Sequence, residues 1–315
     1  AQATGATVDD LATQEGIAAT AKRYYEYTDA LTPNVPDDGK AFYGRDSLSN
    51  YFIIGMRQMG VELLAPGDDG KTAINADKDK IRRLWDNYYV PFVSGYFDAK
   101  GKFRSDDMKT GDIICYTGST ASAAYFPDQV VDDDGTHQIG YQIIMPPTFE
   151  GGNAVAPQQG AGMAVAKSDE QHEYASCEFL KRFTEKQNNL RFATAASYLP
   201  VRTDANSIDE LDSAIQKDNL SVNPKTRDCI AMAMDSFDDV ELYSIKSFDN
   251  AYAARKVLDH SLGDKATADK AAVQAAMAAG QSRAEALEPY VGDAAFEQWY
   301  ASFCQQLQAA AEGTE

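Results

Sequence analysis

Gly160-Ala161-Gly162-Met163-Ala164-Val165-Ala166-Lys167-Ser168 is the stretch on which the fold class turns. Two glycines precede a short apolar run of strand character. From Tyr174 to Phe183 the pattern becomes helical, with Cys177, Leu180 and Phe183 on one side. Two similar runs lie upstream, Gly111-Asp112-Ile113-Ile114-Cys115-Tyr116 and Ile139 to Met145, the second closed by Pro146-Pro147. Helical segments separate such runs from the start of the chain. Asn50 to Met56 is the apolar middle of one helix; Ile81, Leu84, Trp85, Tyr88 and Phe92 form the buried stripe of another, which Pro91 should kink or end. From Ile208 onward the pattern is mainly helical and alanine-rich, most strongly over 266–279 and 294–311. Strands interleaved with helices, then helices to the end, predict an α/β architecture.

At the amino end, Thr7 caps a helix whose first turn holds Asp9 and Asp10, where the helix dipole favours carboxylates. Pro33, Pro36 and Asp37-Asp38-Gly39 break the chain. Asp-Asp-Gly returns at 68–70 and 133–135; none of the three has the aspartate spacing of a calcium loop, so all read as turns.

The 315 residues suggest two domains or lobes, at roughly 150 residues each. With 48 acidic against 29 basic residues the net charge is −19, which repels phosphate backbones and anionic headgroups and argues against a nucleic-acid or membrane-surface binder. The first basic residue is Lys22, so the opening lacks the charged start of a secretory signal; any export signal is expected to have been removed or to lie outside this sequence. Cys115, Cys177, Cys229 and Cys304 form no CxxC pair, which excludes a zinc ribbon or a thioredoxin-type motif. Their even number leaves disulfides open.

Motifs of catalysis are missing: no GxxxxGK[ST], no HExxH and no GxSxG. Gly160-Ala161-Gly162 lacks the third glycine of a dinucleotide fingerprint, and His137, His172 and His260 are scattered. No cofactor or metal is expected. Carboxylate pairs are too abundant here to point to a glycosidase. The 17 Tyr, 14 Phe and 2 Trp suit either sugar stacking with a hydroxyl partner or plain core filling.

Three segments in order resemble the family 1 extracellular solute-binding proteins of bacterial ABC importers, a group that includes maltose- and glycerol-phosphate-binding proteins. The first runs from Phe103 through Gly111 to Gly118-Ser119. The second is Ile139-Gly140-Tyr141-Gln142-Ile143-Ile144-Met145-Pro146. The third is 160–168 with its helix Cys177-Glu178-Phe179-Leu180-Lys181-Arg182-Phe183, followed by Ala196-Ser197-Tyr198-Leu199-Pro200-Val201-Arg202. Two departures stand out. Thr120 occupies the position after Gly-Ser where the family often has tryptophan, leaving stacking to Tyr116 or Tyr125. A strand-rich segment on the order of a hundred residues, the size of a small domain, is expected before Thr7 and is absent.

The resemblance implies a periplasmic-binding-protein type II fold. The chain would supply the second lobe (1–147 and 201–315 with the C-terminal helices) and an excursion into the first lobe over 148–200. It implies a non-enzymatic, extracellular, lipid-anchored or periplasmic component that binds a sugar or oligosaccharide between lobes and delivers it to permease subunits. A carbohydrate-active enzyme, or a binder of a phosphorylated polyol or other anion, are the alternatives. Ligand contacts are expected from Asn50, Tyr51, Tyr116, Gly118, Ser119, Gly160, Gly162, Tyr198 and Arg202, although the apolar run around Tyr51 argues more for core. The strand 160–166 and helix 174–187 are expected to leave Met163, Val165, Leu180 and Phe183 without burial partners. Self-association or the missing lobe would cover them.

Overall fold

A computed structural model describes residues 4–66, 72–132 and 135–314. The Asp-Asp-Gly of 68–70, and Asp133 with Asp134 of the last one, lie outside the described residues. At Asp37-Asp38-Gly39 the turn is present: Asp37 has a φ of +64°, and a Cβ on Gly39 would sit 2.5 Å from the Tyr25 carbonyl oxygen.

The first helix, α1 (Gln14–Asp29), begins later than the sequence predicts. Thr7 closes a small turn on the Asp10 carboxylate, and a 3₁₀ turn covers Asp9–Leu11. The true cap is Thr13, whose hydroxyl accepts the Gly16 N–H at 3.0 Å. Gly16 permits this entry, because a Cβ there would meet the Asp10 carbonyl oxygen at 2.2 Å.

There follow β1 (Tyr43–Arg45), α2 (Leu48–Gln58), the hairpin β2 (Leu64–Pro66) and β3 (Thr72–Ile74), and α3 (Lys78–Val93). Pro91 lies in the last turn of α3, which ends two residues later, as the sequence predicts. Next come α4 (Arg104–Lys109), β4 (Cys115–Thr117), a 3₁₀ turn (Thr120–Tyr125), and the hairpin β5 (Gln129–Asp132) and β6 (Gly135–Gln138). After β7 (Val155–Pro157) the helices α5 (Glu170–Phe183), α6 (Lys186–Ala196), α7 (Ile208–Lys217) and α8 (Pro224–Asp235) lead to β8 (Glu241–Tyr243). The chain closes with α9 (Ala251–Ala278), α10 (Arg283–Val291) and α11 (Asp293–Glu312).

Two strand pairs are parallel, β1 with β4 and β7 with β8, and helices pack around them. The α/β expectation holds at that level. Its strand lengths do not. Of the first predicted run only Cys115 and Tyr116 pair, in a strand that continues to Thr117, and neither 139–145 nor 160–166 belongs to a strand. A strand is defined by its ladder; the first of these runs keeps one such bond, from the Ile139 N–H to the Asp128 carbonyl oxygen at 3.0 Å, and the second has no described backbone partner.

The main core joins α1, α2, α3 and the C-terminal helices. Trp85 stacks on Tyr89 and meets Phe296 and Trp299; Phe52 stacks on Phe303 at 5.2 Å between centroids. Each such fully buried large side chain contributes roughly 1.5–3 kcal/mol. A second, smaller core of Leu190, Ala205, Leu211, Ala214, Ile230 and Met234 lies among α6, α7 and α8, drawing on both sides of residue 200. All four cysteines are free thiols.

Candidate functional site

In α/β sheets, ligands lie where parallel strands end at their carboxyl edge. β1 and β4 run parallel in the register Tyr43↔Cys115 to Arg45↔Thr117, so both chains leave the pair side by side. After β1, the Asp46 N–H is held by the Thr117 carbonyl oxygen at 3.0 Å. Ser47 then caps α2 from a left-handed backbone (φ +52°) and accepts the Asn50 N–H. After β4, Gly118 and Ser119 lead into the 3₁₀ turn. A Cβ on Gly118 would lie 2.8 Å from Ser122 Oγ, 2.9 Å from the Tyr116 ring and 3.1 Å from the Asp46 carboxylate, so glycine is what lets the two loops touch.

Of the predicted residues, Tyr116, Gly118 and Ser119 lie at the end of β4, and Asn50 stands in the first turn of α2, which follows β1. Asn50 exchanges two hydrogen bonds with Gln159, donating from Nδ2 at 3.0 Å and accepting on Oδ1 at 3.2 Å. That pairing brings Gly160, the next residue, to the same place. From α9, Arg255 Nη2 donates to Ser49 Oγ at 2.8 Å and to Asn50 Oδ1 at 3.2 Å, while the Asp259 carboxylate accepts the Ser49 N–H at 2.7 Å. Tyr116 stacks on Phe126, which in turn meets Tyr141. Burial pushes the Tyr116 hydroxyl above the ordinary tyrosine range, and burial likewise raises the Asp46 carboxyl against the opposing bonds from Arg104. The chemistry on offer is hydrogen bonding and an aromatic wall, with the Arg255 guanidinium and the Asp46 and Asp259 carboxylates nearby.

The other predicted residues sit elsewhere. Tyr51 is 1% exposed, its hydroxyl donates to the Leu84 carbonyl oxygen at 2.9 Å, and Arg45 lies over its ring at 4.7 Å; it is core. Gly162 lies on an exposed extended run, with nothing within 4 Å of where a Cβ would stand. Tyr198 stacks on Phe192 at the end of α6, and Arg202 forms a surface ion pair with Asp204 at 2.8 Å. Sequence reasoning missed Gln159, Arg255, Ser49 and Asp46. Of these missed residues, only Ser49 lies within a readable signal, the Ser47-to-Asn50 cap spacing.

Among the described residues, every arginine except Arg45, Arg255 and the exposed Arg182 has a carboxylate within 4 Å. In so acidic a chain, an unneutralised guanidinium beside Asn50 is the electrostatic feature of the site. No group of three metal-ligating side chains occurs among the described residues. A hollow of about 330 Å³, lined mainly by apolar residues such as Val8, Ile144, Met145 and Val240, includes none of the predicted site residues.

The family profile of bacterial extracellular solute-binding proteins matches residues 1–220. No curated protein gives a significant match. Among solved structures, the chain is similar to the cyclic alpha-maltosyl-1,6-maltose binding protein from Arthrobacter globiformis: TM-score 0.54, 14% identity, 93% of this chain and 64% of that one. It is also similar to UgpB from Mycobacterium tuberculosis in complex with glycerophosphocholine: TM-score 0.59, 16% identity, 100% of this chain and 66% of that one. The chain thus spans just under two thirds of the length of these structures, and at such identity the likeness is one of fold.

Proposed function

Because the chain belongs to the bacterial extracellular solute-binding proteins, we propose that it is part of the substrate-binding component of an ABC importer, taking a sugar or oligosaccharide and handing it to permease subunits. The observation that carries this is the carboxyl edge of β1 and β4, where Gly118 and Ser119 follow Tyr116 and Asn50 stands in the first turn of α2. Such a surface suits a polyhydroxylated ligand, whose ring faces stack and whose hydroxyls bond in both senses. The protein binds without turnover, outside the cytoplasm, held at the cell surface by a lipid or free in a periplasm. Residues 1–147 and 201–315 form one lobe, from which 148–200 is the excursion, and the exposed apolar face of α5 takes a missing lobe or a second copy. A second reading, a phosphorylated polyol or other anion as ligand, is favoured by Arg255, which has no carboxylate partner among the described residues.

Isothermal titration of the intact protein against a glycan panel and glycerol phosphodiesters, with product analysis, tests this. Saturable binding without product supports the reading. Turnover of any glycan, or no binding to either set, sinks it. Asn50→Ala should weaken binding by about 1–2 kcal/mol, roughly 5–30-fold.

A further inference from the structure

The first turn of α8 carries a charge that the helix does not call for. Asn223 caps α8 by accepting the Lys225 N–H at 2.9 Å, and Pro224 opens it, so the helix start is complete without the Lys225 side chain. An ammonium in the first turn opposes the helix dipole, and burying it forfeits hydration and rotamer freedom. Yet the Lys225 side chain is only 6% exposed. Its carboxylate partner does not account for that burial, because the Asp128 side chain is 87% exposed and an ordinary surface lysine would serve it.

What the burial achieves is contact with a row of rings. Lys225 Nζ donates to the Phe126 carbonyl oxygen at 2.9 Å and lies 5.7 Å from the ring centroids of both Phe126 and Tyr141, within cation–π range. One turn further along α8, the Asp228 carboxylate accepts the Tyr141 hydroxyl at 2.8 Å. Arg227 donates to Asp228 and forks onto Asp212 of α7. Phe126 stacks on Tyr116 with centroids 6.2 Å and planes 18° apart, and Tyr116 packs against the Gly118 turn. The run 139–146, which forms no strand, is tied into the same place by its Tyr141 hydroxyl and by the Ile139 N–H on the Asp128 carbonyl oxygen.

We propose that Lys225 and Asp228 are positioning residues of the candidate site: from α8 they set the row Tyr141–Phe126–Tyr116, and so the angle at which the Tyr116 ring meets a ligand beside Gly118 and Ser119. The proposal rests on the glycan reading above and narrows it. With Lys225 paired to Asp128 and Asp228 to Arg227, the charges behind the row are neutralised in pairs. What the row offers is ring surface, which selects ligands with flat apolar faces, such as pyranose rings, over compact anions.

4-Fluorophenylalanine at position 126 supplies a fluorine resonance that reports on the row without any ligand. It is followed in the otherwise unchanged chain, in Lys225→Met, in Tyr141→Phe and in Ile230→Val, the last trimming a side chain of the small core on the same helix. Lys225→Met should move the resonance by more than its linewidth and Tyr141→Phe by less, while Ile230→Val lowers stability and leaves it in place. Tyr141→Phe, which keeps the ring, decides the matter should Lys225→Met not fold. Against a panel of neutral mono- to tetrasaccharides, calorimetry should show binding weakened about tenfold or more by Lys225→Met, the scale of a lost charge-assisted hydrogen bond, and less than about twofold by Ile230→Val. A resonance unmoved in both Lys225→Met and Tyr141→Phe overturns the proposal. So does an equal shift in Ile230→Val, or a moved resonance with affinity unchanged. A moved resonance in a protein that binds no glycan upholds the positioning and sinks the glycan reading instead.

Discussion

Replacing Arg104 by methionine tests how the candidate site is held. The Arg104 and Asp107 side chains are 5% and 2% exposed, and Arg104 Nη1 lies 2.5 Å from Asp107 Oδ2. That Oδ2 is buried and has no well-aligned hydrogen bond, while Oδ1 accepts the Gly101 N–H at 2.6 Å. Arg104 also donates to the carbonyl oxygens of Asp98 and Gly101, and its Nε lies 3.6 Å from the Asp46 carboxylate. Methionine keeps most of the volume and removes the charge, leaving the buried Asp107 carboxyl without its ion-pair partner. Breaking a buried pair on one side in this way costs about 3–5 kcal/mol, which for a chain of this size corresponds to a fall in Tm of roughly 5–15 °C. Removing both charges should cost far less, so Arg104→Met with Asp107→Leu should recover much of the loss. Urea and thermal unfolding followed by circular dichroism measure both variants. If Arg104→Met changes stability by less than about 0.5 kcal/mol, as a solvated surface pair would, the reading of this pair as a buried determinant of the Asp46 loop is wrong.

Four further outcomes are expected. Arg191 and Gln187 hold the Asp218 carboxyl at about 2, below its ordinary 3.8. Its contribution is therefore present above pH 4 and lost as pH falls through 2, so Asp218→Asn should flatten the decline of Tm between pH 4 and 2, and parallel curves for the two proteins would refute it. Gly118→Val drives a branched side chain into Ser122, Tyr116 and Asp46 and should cost about 1–3 kcal/mol by urea unfolding, with loss of ligand binding. Tyr51→Phe should lose about 1 kcal/mol of stability with the bond to Leu84 and leave calorimetric affinity unchanged; a large affinity change would return Tyr51 to the site. Arg255→Gln should weaken an anionic ligand at least tenfold and a neutral sugar much less, and equal losses in calorimetry would remove the anion reading.

Helices were legible in the sequence because their signals are local. The 3.6-residue stripe of Ile81, Leu84, Trp85 and Tyr88 and the alanine-rich carboxyl end needed no distant partner to be read. The strand-like runs at 139–145 and 160–166 carry the right residue types, but apart from the Ile139 N–H on the Asp128 carbonyl oxygen they pair with nothing described, and a ladder is a property of two segments. The site divided in the same way. Gly118 and Ser119 follow a strand and announce a turn, whereas Asn50 and Tyr51 are neighbours whose side chains a helix sends in different directions, one to the edge and one to the core. Gln159 and Arg255 belong to no motif. They reach Asn50 only because β7 pairs with β8 and α9 packs on α2.

The two halves of the candidate site rest on cores of very different size. Asn50 and its partner Arg255 are carried by α2 and α9, which share the large aromatic core. Gly118 and Ser119 open the 3₁₀ turn that packs on α8, and α8 draws its burial from the small core of Leu190, Leu211, Ile230 and Met234. What pins the two together is Lys225, at the start of α8, whose Nζ donates to the Phe126 carbonyl oxygen at 2.9 Å and to Asp128 at 2.5 Å. Elements with few buried apolar contacts open at lower free energy than those of the main core. The Gly118–Ser119 half is thus the half able to adjust, while Asn50 stays fixed. A ligand bridging both halves would therefore draw part of its ordering cost from the smaller core.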